Sequence, residues 1–213
     1  MSIPANETHP AGGTWFDTLR KSFVDVPIDA ANDNAVPTTE FLEAAESLTT
    51  LFDVLGSMAF TPVKNDMIGN IKKVRDRQLA SPADSSTLQS LVLNELATKK
   101  HTASEGLLWL VRGLLFTLTA LTHTLANPTS ELSTSFRSAY TTTLKPHHSF
   151  MVKPVFSAAM SATPYKKDFY EKLGGKGPGG EERVREAMGR YNEGVRRVVD
   201  VVQEFEGRKD AKW

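Results

Sequence analysis

The segment Gly106 to Leu125, GLLWLVRGLLFTLTALTHTL, constrains this chain more than any other. As a helix it is apolar almost all the way round and nearly long enough to cross a bilayer. Arg112 sits inside it, His123 and four threonines dilute its far end, and Glu105 precedes it. A cation in the middle of a bilayer costs several kcal/mol. The segment therefore reads as the central helix of a large core, which other helices must enclose.

The rest of the chain supplies such helices. A stripe of Phe41, Ala44, Leu48, Leu51, Phe52 and Leu55 follows a capping Thr38 or Thr39 and stops at Gly56. Val63 to Leu79 forms a helix after Pro62, and Leu88, Leu91, Val92 and Leu96 mark another after the turn SPADSS. Beyond Asn127-Pro128, helices are expected over 130–144, over 147–161 with a kink at Pro154, and after Pro164. The last helix, from Glu181 to about Glu206, carries Met188, Tyr191, Val195, Val198, Val202 and Phe205 at 3-4 spacing. No strand alternation appears, so the fold class is all-α, with about eight helices.

Residues 1–37 read as an N-terminal extension, disordered over 1–13. A short amphipathic helix capped by Thr14 and carrying Trp15, Phe16, Leu19 and Phe23 follows. Residues 38–207 form a single domain and 208–213 a tail. The run GGKGPGG, Gly174 to Gly180, lacks the Gly-Lys-Ser/Thr order and a preceding strand, so it reads as a loop rather than a phosphate cradle.

Composition removes several functions. The 213 residues carry 25 basic and 25 acidic side chains. A net charge of zero argues against a nucleic-acid partner. With no cysteine there is neither a disulfide framework nor a thiolate zinc site. The start, MSIPANETHPAGG, is not a secretory signal, so a cytoplasmic location is expected. No nucleophile elbow, cysteine nucleophile or carboxylate-rich metal motif is present, so the chain is not expected to be an enzyme or to bind a metal or cofactor.

One polar set stands out. In NDMIGNIKKVRDR, Asp66, Asn70 and Lys73 lie at i, i+4 and i+7 on one helix face, beside the apolar stripe Met67, Ile71 and Val74. Periodicity alone favours an ordinary solvated face. Trp109 in the apolar helix reads as core. Arg112 needs an acidic partner there, Asp66 or another inward carboxylate. His147 and His148 begin the Pro154 helix, without the spacing a zinc site needs.

Three blocks, FTPVKNDMIGNIKKV (60–74), LLWLVRGLLF (107–116) and LKPHHSFMVKPVFSAAMSATPYKKDFYEKL (144–173), resemble the glycolipid transfer protein family in sequence and order. The likeness is strongest to its fungal heterokaryon-incompatibility branch. The resemblance implies the family's single-domain, two-layer helical fold. It also implies a glycosphingolipid cargo: headgroup contacts from Asp66, Asn70 and Lys73, sugar stacking on Trp109, and a contact from His148 to the ceramide amide. Arg112 matches a family arginine expected to be structural.

It further implies an apolar tunnel lined by Phe52, Phe60, Leu107, Leu114, Phe116 and Phe156. A rim of Phe150, Lys153, Tyr165, Lys166 and Lys167, with Trp15 and Trp213 as further candidates, would touch the membrane. The family usually has Trp where this chain has Phe150. The expected partners are a neutral glucosyl- or galactosylceramide and a reversible membrane contact, with the protein a monomer. A ceramide-1-phosphate carrier would want cations where Asn70 and Trp109 stand. A glycolipid sensor or adaptor in incompatibility signalling would bind the same lipid without delivering it, and a lipid hydrolase would need Asp66 and His148 as acid and base.

Overall fold

A computed structural model describes residues 9–212 except Ala11; the expectation of disorder over 1–8, and Trp213, lie outside the described residues. Among the described residues the structure is helical, with two isolated antiparallel bridges and no strand. The helices are α1 (Thr38–Thr49), α2 (Leu51–Leu55), α3 (Thr61–Ala80), α4 (Leu88–Ala97), α5 (Thr102–Ala126), α6 (Leu132–Thr142), α7 (Val152–Ser161), α8 (Lys166–Tyr170) and α9 (Gly180–Glu206).

The long apolar helix is α5, and it is the axis of the fold. Helices α3, α6 and α9 pack along it and α4 against its start, so its mixed faces all find cover. It is long and apolar enough to cross a membrane, yet 61% of its most apolar window is buried inside this fold, as a core helix would be. The α9 stripe Val184, Met188, Tyr191, Val195, Val198, Val202 and Phe205 is buried as its spacing dictates. Gly56 ends α2 in the left-handed conformation, φ 72°, where a side chain would be strained.

Two local expectations change. The helix bearing Pro154 begins at Val152, not at the histidines. Pro154 therefore stands in the first turn, where its missing N–H breaks no helical hydrogen bond, and it marks a start rather than a kink. The segment after Thr14 forms a 3-10 turn, Trp15–Thr18, closed by a capping box between Thr14 and Asp17. Within the described part of 1–13, His9 is anchored to the Lys172 carbonyl at 2.6 Å and Gly13 N–H donates to Pro10 at 2.7 Å.

The extension belongs to the common core. Trp15, Phe23 and Val26 are buried in the same cluster as α1 and α9. Arg197 on α9 donates to the carbonyls of Phe23, Val24 and Val26 at 3.4, 3.2 and 2.7 Å. Gly194 lets the backbone of Val24 lie directly on α9: a Cβ there would stand 2.6 Å from the Val24 nitrogen.

Candidate functional site

The polar row of α3 is assembled as the spacing requires. Asn70 Nδ2 donates to Asp66 Oδ2 at 3.3 Å, and Lys73 Nζ donates to Asn70 Oδ1 at 3.1 Å. Asn70 is 3% exposed, which an ordinary solvated face does not explain. Asp66 stays open to solvent, yet the helices behind it withdraw enough water to raise its carboxyl above the usual carboxylate range, against the lowering pull of Lys73.

Helix α5 brings Trp109 to the same region because α3 lies on it at very close range. Gly106 makes this possible: a Cβ there would sit 3.0 Å from Lys73 Cβ and 3.2 Å from the Asn70 carbonyl oxygen. Trp109 is half-buried. The Arg112 guanidinium stands 4.8 Å from its ring centroid.

His148 arrives from the loop between α6 and α7. Its ring is nearly parallel to the Trp109 indole, 24° apart with centroids at 5.7 Å. It also packs on Phe156 at 4.3 Å. Burial lowers its pKa below the ordinary imidazole value, helped by the nearby charges of His147, Lys153 and Arg112. At neutral pH the ring is therefore uncharged, with one nitrogen donating and one accepting. His147, the alternative, is exposed.

Sequence reasoning missed two participants. The Tyr140 hydroxyl lies 3.3 Å from His148 Nδ1, and the Tyr140 ring stacks on Phe156. The signal was present: Leu132, Phe136 and Tyr140 share one buried stripe, and a buried phenol needs a polar partner. The second is Glu206, the acid whose charge acts on Arg112; burial is the larger influence on Arg112 and lowers its pKa, and Glu206 opposes it. Of the partners the sequence leaves open for Arg112, Asp66 couples to Lys73 instead, and the inward carboxylate is Glu206.

The six residues assigned to a tunnel are all buried. Phe52 stacks on Phe60 at 6.1 Å, and Phe136 joins Phe60 to Phe116 edge-on at 6.1 and 5.8 Å. In this structure they pack as core. Clefts of about 740 and 420 Å³ lie elsewhere, the first between the His9–Trp15 segment and the turn after α8, the second along α6. Neither is lined by these residues.

The five rim residues do not form one patch. Phe150 is 82% exposed at the start of α7, and Met151 and Val155 are exposed beside it. Met58, 88% exposed, belongs to a turn that packs against α7. Tyr165 is exposed beyond the other end of α7, roughly 15 Å away at 1.5 Å per residue. Lys153 is half-buried near His148, and Lys167 is exposed. The Lys166 ammonium turns inward and donates to the carbonyls of Thr124, Asn127 and Pro128 at 3.4, 3.1 and 2.9 Å, closing the C-terminus of α5. Trp15, the other terminal aromatic, is buried.

Together these residues make a surface cluster with an acceptor, an amide and a donor in a row, an indole from α5, and a neutral imidazole packed against that indole. Comparisons with known proteins show the family. The sequence model of the glycolipid transfer protein family (GLTP) matches residues 36–175. A glycolipid transfer protein of Aureobasidium melanogenum is 60% identical over 204 residues, which is 96% of this chain and 98% of that protein. The crystal structure of HET-C2, a fungal glycolipid transfer protein, superposes with a TM-score of 0.89 at 58% identity, covering 94% of this chain and all (100%) of that one. A structure of FAPP2, described as selecting simple glycosphingolipids with the GLTP fold, superposes with a TM-score of 0.81 at 31% identity over 91% of this chain and 94% of that one.

Proposed function

This chain belongs to the glycolipid transfer protein family, and from that premise we propose that it takes a neutral glycosphingolipid from one membrane and releases it unchanged into another. The observation that carries the reading is the hydrogen-bonded row Asp66–Asn70–Lys73 lying beside the half-buried Trp109. A hexose offers hydroxyls that both donate and accept. Asp66 accepts, Lys73 donates and Asn70 does both, so the row orients the ring without a net charge of its own. The apolar face of the sugar lies on the indole.

The ceramide amide has one N–H and one C=O. Asp66 accepts from the first. If the Tyr140 hydroxyl donates to His148 Nδ1, the proton of the imidazole stays on Nε2, free to donate to the second. Tyr140 is then the residue that sets the tautomer.

The tails set the larger energy. A ceramide carries on the order of 30 methylenes, so exposing them to water would cost roughly 25 kcal/mol. The cluster around Phe52, Phe60, Leu107, Leu114, Phe116 and Phe156 receives the tails by parting along the ring contacts described above, which exchanges one apolar setting for another. The sugar contacts then decide which lipid is taken. Met58, Phe150, Met151 and Val155 form the apolar patch that meets the bilayer, reversibly and from the cytoplasmic side, with the protein acting as a monomer.

The test is transfer of glucosylceramide between phosphatidylcholine vesicles at catalytic amounts of protein, for the natural chain and Asp66→Val. The natural chain moves many lipids per protein and the variant almost none at unchanged helix content. Binding without turnover would make the protein a glycolipid sensor. Preference for ceramide-1-phosphate, or recovery of free sugar or fatty acid, would overturn the assignment.

A further inference from the structure

Glu206 closes the last turn of α9, and its Oε1 is buried without a hydrogen-bond partner among the described residues. Such a group is costly unless a charge faces it. Burial pushes its carboxyl up to about 7, and Arg112 is the cation that opposes the shift. Arg112 in turn makes no hydrogen bond or ion pair among the described residues. Its contact is the face of Trp109. An acid on α9 with a buried, unpartnered oxygen thus acts on the α5 cation that lies over the indole the proposed function assigns to the sugar.

We propose that Glu206 is a positioning residue of the headgroup site: its carboxylate draws the Arg112 guanidinium onto Trp109 and so fixes the indole that receives the sugar ring. The inference rests on the glycolipid reading given above. Arg112 lies 4.8 Å from the centroid of the indole, and the His148 ring lies nearly parallel to it. The titratable groups around Arg112 are Glu206 from α9 and His147 and His148 from the loop after α6. Lys153 from α7 acts on His148, while Asp66 and Lys73 of α3 act on each other. When Glu206 takes up a proton, Arg112 loses its one acidic neighbour in this set, and the groups that remain beside it are neutral or repel it. The platform then loosens. Glycolipid affinity follows the ionisation of a residue that never touches the lipid.

The test is a pH titration of Trp109 emission in the ligand-free protein, taken as the difference from a Trp109→Phe counterpart so that Trp15 and Trp213 cancel. It is paired with binding of glucosylceramide from phosphatidylcholine vesicles between pH 6 and 8. The natural chain shows an emission transition near 7, the value set by Glu206. Glu206→Gln loses it and binds about fivefold more weakly at pH 8, the change expected from losing one partly exposed cation–π contact, with no dependence on pH. Glu206→Asp restores the transition. A separate, lower transition from His148 persists in Glu206→Gln and disappears in His148→Gln.

Should Glu206→Gln fail to fold, Arg112→Gln decides, because it must abolish the same transition. A Glu206→Gln protein with the natural emission profile and affinity overturns the inference. Failure of the natural chain to take up glucosylceramide at any pH would sink the glycolipid reading instead, and the ligand-free titration still decides whether Glu206 acts through Arg112 on Trp109.

Discussion

Glu95, on α4, grips Ser104 of α5 twice: its Oε2 accepts from the Ser104 backbone N–H and from the Ser104 hydroxyl, both at 2.7 Å. Its other oxygen accepts from the Ala103 N–H at 2.9 Å. The residue preceding α5, His101, offers no side-chain cap. The start of the central helix is therefore capped from a neighbouring helix by a buried carboxylate. Glu95→Ala should cost about 2–3 kcal/mol, leaving three donors short of an acceptor. Urea denaturation measures this; a loss below about 0.5 kcal/mol would show that the cap is dispensable.

Tyr140→Phe removes the hydroxyl beside His148 Nδ1 while keeping the stacked ring. Transfer of glucosylceramide should fall about tenfold, the cost of roughly one hydrogen bond, with little change in thermal stability. An unaltered transfer rate would exclude Tyr140 from the headgroup site.

Gly106→Val forces α3 away from α5, since the added carbons meet Lys73 and the Asn70 carbonyl at close range. The expected loss is about 1–3 kcal/mol of stability, with headgroup binding falling further than stability predicts because the polar row moves relative to Trp109. Parallel titrations of unfolding and lipid binding separate the two effects.

The pH dependence of stability carries the mark of Glu206, whose carboxyl rises from 4.5 to about 7 in the folded chain. Between those values the folded state holds a proton that the unfolded chain has released. Its contribution to stability is complete below 4.5 and is lost as pH rises through 7, up to roughly 3 kcal/mol. Unfolding free energies from pH 4.5 to 8 should fall for the natural chain by this component, and Glu206→Gln should flatten it. Parallel curves for the two proteins would refute the assignment.

Phe150→Glu should weaken association with phosphatidylcholine vesicles severalfold without destabilising the fold, because the side chain is exposed. Lys166→Gln should do the reverse, loosening the C-terminus of α5 and leaving vesicle binding nearly unchanged. Sedimentation with vesicles and thermal melts distinguish them.

The helices and the face they bury follow from spacing, because a 3-4 apolar repeat has one stable solution in a helical core. That is why α5 and α9 are readable from spacing, whereas spacing gives the Asp66–Asn70–Lys73 row only a shared face and its role comes from the family resemblance. Spacing fixes a face but not what lies across from it. Glu206 stands far along the chain from Arg112, and nothing in either neighbourhood announces the other. Pro154 was misread as a kink because a proline permits either a kink or a start, and only the position of the first helical residue decides. Lys166 showed a charge but not its direction, and long side chains often fold back onto carbonyls.

The segment that matches the family, 36–175, ends before α9. Yet α9 packs along α5 and holds Phe23, Val24 and Val26 in place through Arg197. Cutting the gene at the borders of the recognisable motif would therefore yield a fragment with one flank of its central helix stripped bare. The two stretches outside that segment serve as the outer wall without which the middle cannot stand.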